Sequence, residues 1–505
     1  MKKLSSLLKK LDDNLAHFSL LAYIVLSSLL PKIPLQHVEY TYIKIRFDDL
    51  LPFIVGLIFL VQLARRKVRL NKKFLIPVLL FWTAVFVSFL YGAFVQNTVV
   101  VTNLGLLHSL RRIQYMAIFF IASSTVISEK RFFSYLKIYL GTLLVVCLYA
   151  LGQKFLAFPS IQSMNPAYVD GRLLTLNPED RLNSTFGGHF DLAAYLTFSM
   201  PIILGFFFFT KKKQYFLLFI LSLIILLYTA ARSSFVGYIV SISAFLLFLR
   251  KFKVYGIVLL LTAVLLFVTG DMTKRFQQTF QVKTVFVNQQ TGAENIDQKI
   301  SVKNLPAGGY KIPLSRQKEV GADPAKIRAV ALEQAIEEAR RKGRAMNMIE
   351  IQKRADQISK FISPQKTVLC DISCATRLQL EWPRAIGAFM FNPIVGTGPS
   401  SITEATDNDF LRWLGEFGIL GTSLFIYLLF SINRFVTRAA KNTKKDIRYI
   451  HYGFGFGLLA LLVNSLYVDV FEASKVAYNF WLVAGLYVGF ISLPTAKLNE
   501  KRKDK

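Results

Sequence analysis

Arginine residues at the ends of apolar segments are the feature of this sequence best suited to chemistry. They are Arg172, Arg181, Arg232, Arg377 and Arg384. A guanidinium group near hydrocarbon is costly unless it is paired or lines a polar cavity, and its planar fork can bind two phosphate oxygens at once. The set therefore predicts a site for an anionic ligand. The alternative is a series of separate ion pairs with Glu179, Asp180 or Glu381, and for any single arginine the two interpretations are equally good.

A polar cluster around residue 407 supplies candidates for proton transfer. Asp407 could act as a general base toward a sugar hydroxyl if a neighbouring arginine keeps it ionised. Its alternative role, shared with Asn408, is to cap the helix that follows. Glu416 lies just before an apolar segment and could contact a ligand or form an interfacial salt bridge. His189 could exchange a proton, although a lone histidine before a helix is more often only solvated.

Apolar blocks must position these residues. The chain is 53% hydrophobic with a mean hydropathy of +0.42, and its apolar blocks of roughly 16–22 residues match the thickness of a bilayer. It also carries 61 Lys+Arg against 31 Asp+Glu, a net charge of +30. Because the basic clusters flank the apolar blocks, they are typical of cytoplasmic loops and argue against nucleic-acid binding. The sequence predicts an all-α polytopic membrane protein.

About twelve transmembrane helices are predicted from these blocks. They lie at about 16–31, 50–64, 74–95, 113–127, 136–155, 191–210, 214–230, 234–249, 254–269, 418–434, 449–468 and 477–495. Basic clusters at 65–73, 130–131, 211–213, 250–253 and 434–448 fall in alternate connections, and only Arg111 and Arg112 break the pattern. The positive-inside rule then places both termini in the cytoplasm of a multi-pass cytoplasmic-membrane protein. The basic first residues, which lack a cleavage-like site, are interpreted as a cytoplasmic tail.

Three regions are predicted along the chain. Residues 1–270 hold about nine membrane helices and an outer segment at 157–191, and residues 416–505 hold about three more and a basic tail. Residues 271–415 form a large extracytoplasmic loop domain of mixed α/β structure, since alternating stretches around Gly and Pro favour short strands and residues 323–362 show helical periodicity. We expect the helices of this domain to be solvated and to rest on the membrane region.

The cysteine content gives little indication of metal or cofactor chemistry. Cys147 lies in an apolar block and is interpreted as a packing residue. Cys370 and Cys374 would share a face of a helix and could form a disulfide outside the cytosol. No nearby histidine completes a zinc site, and no cofactor is expected.

Four segments, in order, resemble the superfamily of O-antigen ligases and Wzy-type polysaccharide polymerases. They are RLNSTFGGHFDLAAYL, TAARSSFVGYIV, RLQLEWPRAIGAFMFNPIVGTGP and DNDFLRWLGEFGILG. The resemblance implies a metal-independent membrane glycosyltransferase that takes an undecaprenyl-diphosphate-linked glycan as donor and a glycan or lipid-linked acceptor. It implies that Arg181, Arg232 and Arg377 hold the diphosphate, with other polysaccharide-assembly proteins as candidate partners.

One departure from the family pattern concerns the base. The ligase motif has a histidine where this sequence has Asp407, followed by Asn408 and Leu411. The substitution favours a polymerase-like member, in which Asp407 assists deprotonation of the acceptor and the arginines stabilise the departing diphosphate. Catalysis is thus predicted for Asp407, Arg181 and Arg232. Substrate binding is predicted for Arg172, Arg377, Arg384, Asn408 and Glu416.

A transporter is the main alternative, for example a flippase for lipid-linked oligosaccharides. About twelve spans with both termini inside would suit it. A flippase would also be expected to carry charges deep within its spans and to have similar halves. The arginines instead gather at helix ends, and one long outer segment interrupts any repeat, so an enzyme is favoured.

Overall fold

A computed structural model gives the structure of the chain. It describes residues 11–41, 44–163, 170–177, 179–292, 294–296, 311–313, 324–341, 347–402, 405–443 and 446–494. The ends of the predicted cytoplasmic tails lie outside these residues. The chain divides into two compact units: Met1–Thr273 together with Arg384–Lys505, and Lys274–Pro383. The second unit is narrower than the region 271–415, because residues from Arg384 onward pack with the membrane helices.

Helices dominate the described residues. The first nine are α1 (Leu15–Leu29), α2 (Phe47–Ala64), α3 (Leu75–Phe94), α4 (Thr102–Thr125), α5 (Glu129–Phe155), α6 (His189–Thr210), α7 (Lys213–Thr229), α8 (Arg232–Phe248) and α9 (Phe252–Thr269). They continue with α10 (Asp271–Thr279), α11 (Pro324–Arg341), α12 (Met348–Ser359), α13 (Ile372–Thr376), α14 (Trp382–Phe391), α15 (Asp409–Asn442), α16 (Arg448–Asn464) and α17 (Ser474–Ile491). A short π-helix spans Arg377–Glu381.

The polytopic helical prediction is confirmed in its coarse form. Among the described residues, six helices are long and apolar enough to cross a bilayer, namely α2, α3, α5, α6, α9 and α15. Helices also overlie the remaining predicted spans, and the count of about twelve stays a prediction. The largest difference in a boundary is at α4, which begins at Thr102 and not near 113, so that Arg111 and Arg112 lie inside a helix instead of in a connection.

Glycines allow close antiparallel packing between α6 and α16. A Cβ added at Gly453 would lie 2.7 Å from the Pro201 carbonyl oxygen, and one at Gly457 would lie 2.5 Å from that of Phe198. Small residues at such crossings let helix backbones approach each other in a bilayer. The start of α6 therefore lies beside the end of α16. We call this end of the bundle the polar end, and the opposite end, which carries the turn 65–74, the basic end; the topology predicts them to be outer and cytoplasmic, respectively.

Two small hairpins supplement the membrane unit. Strand β1 (Pro34–Gln36) pairs with β2 (Ile45–Arg46), and β3 (Pro159–Ile161) pairs with β4 (Leu173–Thr175), both antiparallel. In the second pair Ser160 lies opposite Leu174. Both hairpins sit in connections at the polar end.

The unit Lys274–Pro383 contains a four-stranded sheet in the order β6-β5-β8-β7 and two amphipathic helices. Its strands are β5 (Phe280–Asn288), β6 (Glu294–Ile296), β7 (Lys311–Pro313) and β8 (Ile362–Cys370). Ala331 and Ala335 of α11 and Ala355 of α12 are buried with Phe286. Cys370 ends a strand and Cys374 lies in α13 with a buried free thiol, so the shared helical face expected for these cysteines was wrong.

A kink interrupts α15 at Gly418. This residue has φ +62°, and a Cβ there would lie 2.3 Å from the Ile394 carbonyl oxygen, so glycine is required. The turn that precedes the helix fills the kink, since the Ile419 amide donates to Pro393 O at 2.8 Å. The turn-rich stretch around 392–399 is thereby fixed against the first turns of α15.

Candidate functional site

Three hydrogen bonds bring the segments with the main predicted residues to the polar end. The Leu182 amide, next to Arg181, donates to Tyr228 O at 3.4 Å, at the end of α7. Ser234, two residues after Arg232, accepts from Asn464 Nδ2 at 2.9 Å, and the adjacent Ser465 carbonyl accepts from the Asp409 amide at 2.9 Å. The backbones that carry Arg181, Arg232 and Asp407 are thus joined through the α7–α8 turn and the end of α16.

Helix N-termini add to the electrostatics of this end. Helix α6 begins at His189, α8 at Arg232 and α15 at Asp409, and α6, α8 and α16 pack directly against one another. Unsatisfied amides give a helix N-terminus a partial positive charge, which favours anions such as phosphate. The N-termini of α6 and α8 therefore add partial positive charge beside Arg181, which contacts His189, and beside Arg232, which begins α8.

A buried ion network links α4 to α15. Arg112 Nη2 lies 2.7 Å from Glu416 Oε2 and 2.7 Å from Glu472 Oε1. Its guanidinium group also lies 4.5 Å from the centre of the Phe417 ring. The Glu416 side chain is fully buried. Burying such charges is tolerated only when each is paired, so this network fixes the relative position of the two helices.

A second arginine extends the network to the connection between α16 and α17. Arg412 Nη1 lies 2.9 Å from Asp469 Oδ2, and its Nε lies 3.4 Å from Glu416 Oε1. Asp409 accepts from the amides of Val470 and Phe471 at 2.9 and 3.1 Å. Arg412 and Asp409, which bind this connection, both lie at the start of α15. They therefore hold the connection against the start of that helix.

Asp469 also fixes the backbone on either side of Asp407. Its carboxylate accepts from the Thr406 amide at 2.9 Å and from the Asn408 amide at 3.0 Å. Asp407 itself adopts φ +50°, in the left-handed region that aspartate tolerates. Of the two caps considered from sequence, Asn408 is the one observed: its Oδ1 accepts from the Leu411 amide at 3.1 Å. This arrangement leaves the Asp407 side chain half-buried at the polar end.

Buried lysines form a further group at the polar end. Lys475 donates to the carbonyl oxygens of Ser28, Leu30 and Thr185 at 3.1, 2.6 and 2.8 Å. Lys32 pairs with Asp191 at 3.0 Å, on the first turn of α6. Together they bind the end of α1 to the start of α6, close to the segment of Arg181.

A pocket of about 210 Å³ opens beside the ion network. Its lining includes Tyr40, Thr98, His108, Ser400 and Ser401. The Ser400 amide donates to Glu416 Oε1 at 3.3 Å, and Arg112 donates to the His108 carbonyl at 3.2 Å. Hydroxyl and imidazole groups of this kind suit a polyhydroxylated ligand such as a sugar.

The predicted arginines occupy different settings. Arg181 Nη1 lies 2.6 Å from His189 Nε2, which joins two residues singled out separately from the sequence. Arg232 is half-buried at the first residue of α8. Arg172 and Arg384 are exposed. Arg377 belongs to the Lys274–Pro383 unit, where its buried guanidinium group donates to Ser373 O at 2.7 Å and to Ser373 Oγ.

The ion network was largely missed from the sequence. Glu416 was expected to contact a ligand or form an interfacial salt bridge, and the pair it forms is buried and links two helices. The sequence did offer one indication of the network: Arg112 broke the positive-inside pattern. An arginine at a position that this rule disfavours needs a buried counter-charge. Asp469 and Glu472 carried no such signal. No group of metal-ligating side chains occurs among the described residues.

The fold and the site together define a polytopic helical membrane protein with a buried polar site at one end of its bundle. A family model described as O-Antigen ligase matches residues 217–426, a range that contains Arg232, Asp407 and Glu416. The match confirms the predicted resemblance to this superfamily over the matched residues, which make up less than half of the chain. Arg112 and Arg181 precede the matched range. No curated protein matches the chain.

Proposed function

We propose that this protein transfers a glycan from a polyprenyl-diphosphate-linked donor to an acceptor sugar at the outer face of the cytoplasmic membrane. The observation that carries the proposal is the hydrogen-bonded junction of the segments bearing Arg181, Arg232 and Asp407. Guanidinium groups and helix N-termini at one place favour the diphosphate of such a donor.

In the proposed reaction an acceptor hydroxyl attacks the anomeric carbon of the donor. The new glycosidic bond forms as the bond from that carbon to the diphosphate oxygen breaks. Asp407 takes the hydroxyl proton, and Arg181 and Arg232 stabilise the negative charge on the departing lipid diphosphate. The donor's prenyl chain would lie between membrane helices.

The acceptor is assigned to the pocket lined by His108 and Ser400. Its hydroxyl groups offer the hydrogen bonds that a sugar needs, and the pocket borders the ion network that fixes the start of α15. Arg172, Arg377 and Arg384 stay proposed contacts to the outer part of the substrates. Asn408 and Glu416 are proposed to position the start of α15: Asn408 caps the helix, and Glu416 pairs with Arg112.

A carboxylate at position 407 favours a polymerase-like member of the family over a ligase. Such an enzyme would extend a glycan that is itself lipid-linked, so donor and acceptor would be of one chemical kind. Presenting the purified protein with lipid-linked repeats alone tests this choice: products longer than the donor support a polymerase.

Glycan transfer by the purified full chain tests the proposal. With a lipid-diphosphate oligosaccharide as donor, Arg181→Ala and Arg232→Ala should each lower the transfer rate by about 100-fold or more, as expected for loss of a charge-stabilising donor. The matched control is Arg250→Ala, an exposed arginine at the basic end, which should transfer at the normal rate. Normal transfer in either test variant would remove that arginine from the mechanism. Movement of the donor across the bilayer without bond formation would support a flippase instead.

A further inference from the structure

A cavity at the basic end, far along the helices from the site described above, is lined by charged groups that the proposed function does not use. Its volume is about 630 Å³. Among its lining residues the basic side chains are Arg66, Lys67, Arg69, Lys72 and Arg131, and the acidic one is Asp13. We call it the basic cavity. Residues 123–127 at the end of α4, together with Gly489 and residues 492–494 at the end of α17, line its other sides.

Two of these cations already have partners. Lys67 pairs with Asp13 at 2.8 Å and also with Asp12. Hydrogen bonds from Arg65 and Lys67 hold the pKa of Asp12 well below its ordinary value, so this carboxylate stays charged at neutral pH. Arg131 Nη2 donates to Asn14 Oδ1 at 2.5 Å. The N-terminal segment therefore neutralises one side of the cavity.

The other three cations have no carboxylate partner within the described part of the chain. Arg66, Arg69 and Lys72 are exposed and line the same concave surface. Arg66 moreover has φ +56° at the end of α2, where glycine is the usual residue. Three such cations in one concavity repel one another and attract an anion.

The surroundings of the cavity indicate where this anion comes from. On the helices that flank the turn 65–74, Leu60 and Ile76 expose 60% and 71% of their surface, as expected for side chains that face lipid. A ligand with a phosphate group in the cavity and acyl chains along α2 and α3 would satisfy both features. Basic pockets between membrane helices on the cytoplasmic side bind anionic headgroups in this way.

We propose that the basic cavity binds the phosphate headgroup of an anionic glycerophospholipid from the predicted cytoplasmic leaflet. Arg66, Arg69 and Lys72 contact the phosphate oxygens in this proposal, and Ser123 and Ser124 also line the cavity. Ser124 Oγ already accepts from the Asn71 amide at 2.9 Å, which fixes the turn relative to α4. The lipid would join the turn 65–74 to the ends of α4 and α17.

Lipid binding to the purified full chain in neutral detergent tests the proposal. Dioleoylphosphatidylglycerol is titrated while bound lipid is followed by native mass spectrometry and the melting temperature is recorded, with dioleoylphosphatidylcholine and inorganic phosphate as separate arms. The variant Arg66→Gln/Arg69→Gln/Lys72→Gln should bind phosphatidylglycerol about 100-fold more weakly, since each basic residue contributes roughly a factor of five to anionic-lipid binding. Phosphatidylcholine should give no shift in either protein.

The matched control is Lys211→Gln/Lys212→Gln/Lys213→Gln, which removes the same charge from a basic turn outside the cavity. Equal binding by the two triple variants would overturn the proposal, because it would reduce the cavity to part of a general basic surface. An equal melting shift with inorganic phosphate would overturn the lipid assignment. If the test variant does not fold, the single variant Arg69→Gln should weaken binding about fivefold relative to Lys212→Gln, and no difference between them would count against the site.

Discussion

The two ends of the helical bundle use the same charged residue types in opposite ways. At the polar end Arg112, Arg412 and Glu416 are buried and paired: Arg112 and Glu416 pair across two helices, and Arg412 pairs with Asp469 and with Glu416. At the basic end Arg66, Arg69 and Lys72 are exposed and lack carboxylate partners among the described residues. A buried charge must have its counter-charge in place when the helices pack, whereas an exposed one is screened by water and salt. The comparison shows that the number of charged residues does not by itself locate a binding site. Buried, paired side chains stabilise the fold, whereas exposed side chains without a partner can bind a ligand.

Removing a carboxylate from the ion network should have the largest effect on stability. Glu416→Ala would leave Arg112 and Arg412 buried with fewer counter-charges, which should lower the free energy of unfolding by about 3–5 kcal/mol. Thermal unfolding in detergent measures this loss. The control Glu129→Ala, an exposed carboxylate at the basic end, should melt close to the unmodified protein. A Glu416→Ala protein as stable as the control would mean that the network does not hold the helices together.

Removing one helix cap at each end of the bundle should have an intermediate effect on stability, and the two variants serve as controls for each other. Asn408→Ala and Ser128→Ala each remove a side-chain cap and should each lower the free energy of unfolding by about 1 kcal/mol. Only Asn408→Ala should also reduce glycan transfer, because Asn408 fixes the backbone next to Asp407. Parallel unfolding and transfer measurements separate the two effects. A comparable loss of transfer in Ser128→Ala would show that activity follows stability alone.

The smallest effect is expected at the exposed pair of Arg65 and Asp12. Because hydrogen bonds from Arg65 and Lys67 lower the pKa of Asp12 from its ordinary value of 3.8, the pair stabilises the folded state above that pH and loses its effect as the pH falls below it. In Asp12→Asn the melting temperature should lack this component of the pH dependence. The difference in melting temperature between the unmodified protein and Asp12→Asn should shrink in high salt, whereas the effect of Glu416→Ala should not. If the two proteins differed in melting temperature as much at acidic pH as at neutral pH, the Arg65–Asp12 pair would be excluded as the origin of the difference.

How far the sequence could predict the site depended on the distance between partners in the chain. Asn408 could be proposed as a cap because its target, the Leu411 amide, is three residues away. The pairing of Arg112 with Glu416 could not be deduced, since their separation of 304 residues leaves many carboxylates as equally good partners. The start of α4 was placed late for a related reason: polar residues in its first half lowered the apolar signal, and the sequence does not show that two of them, Ser109 and Arg112, are buried.

The sequence by itself determined the membrane class, the positions of most helices and the resemblance to the O-antigen ligase superfamily. Those properties follow from local apolar length, basic flanks and ordered motifs, which need no knowledge of the partner helices. The tertiary structure decided which charges are buried together, where Asp407 is held and which cations remain available. These depend on helix packing, because a buried ion is stable only beside a counter-ion that another helix supplies.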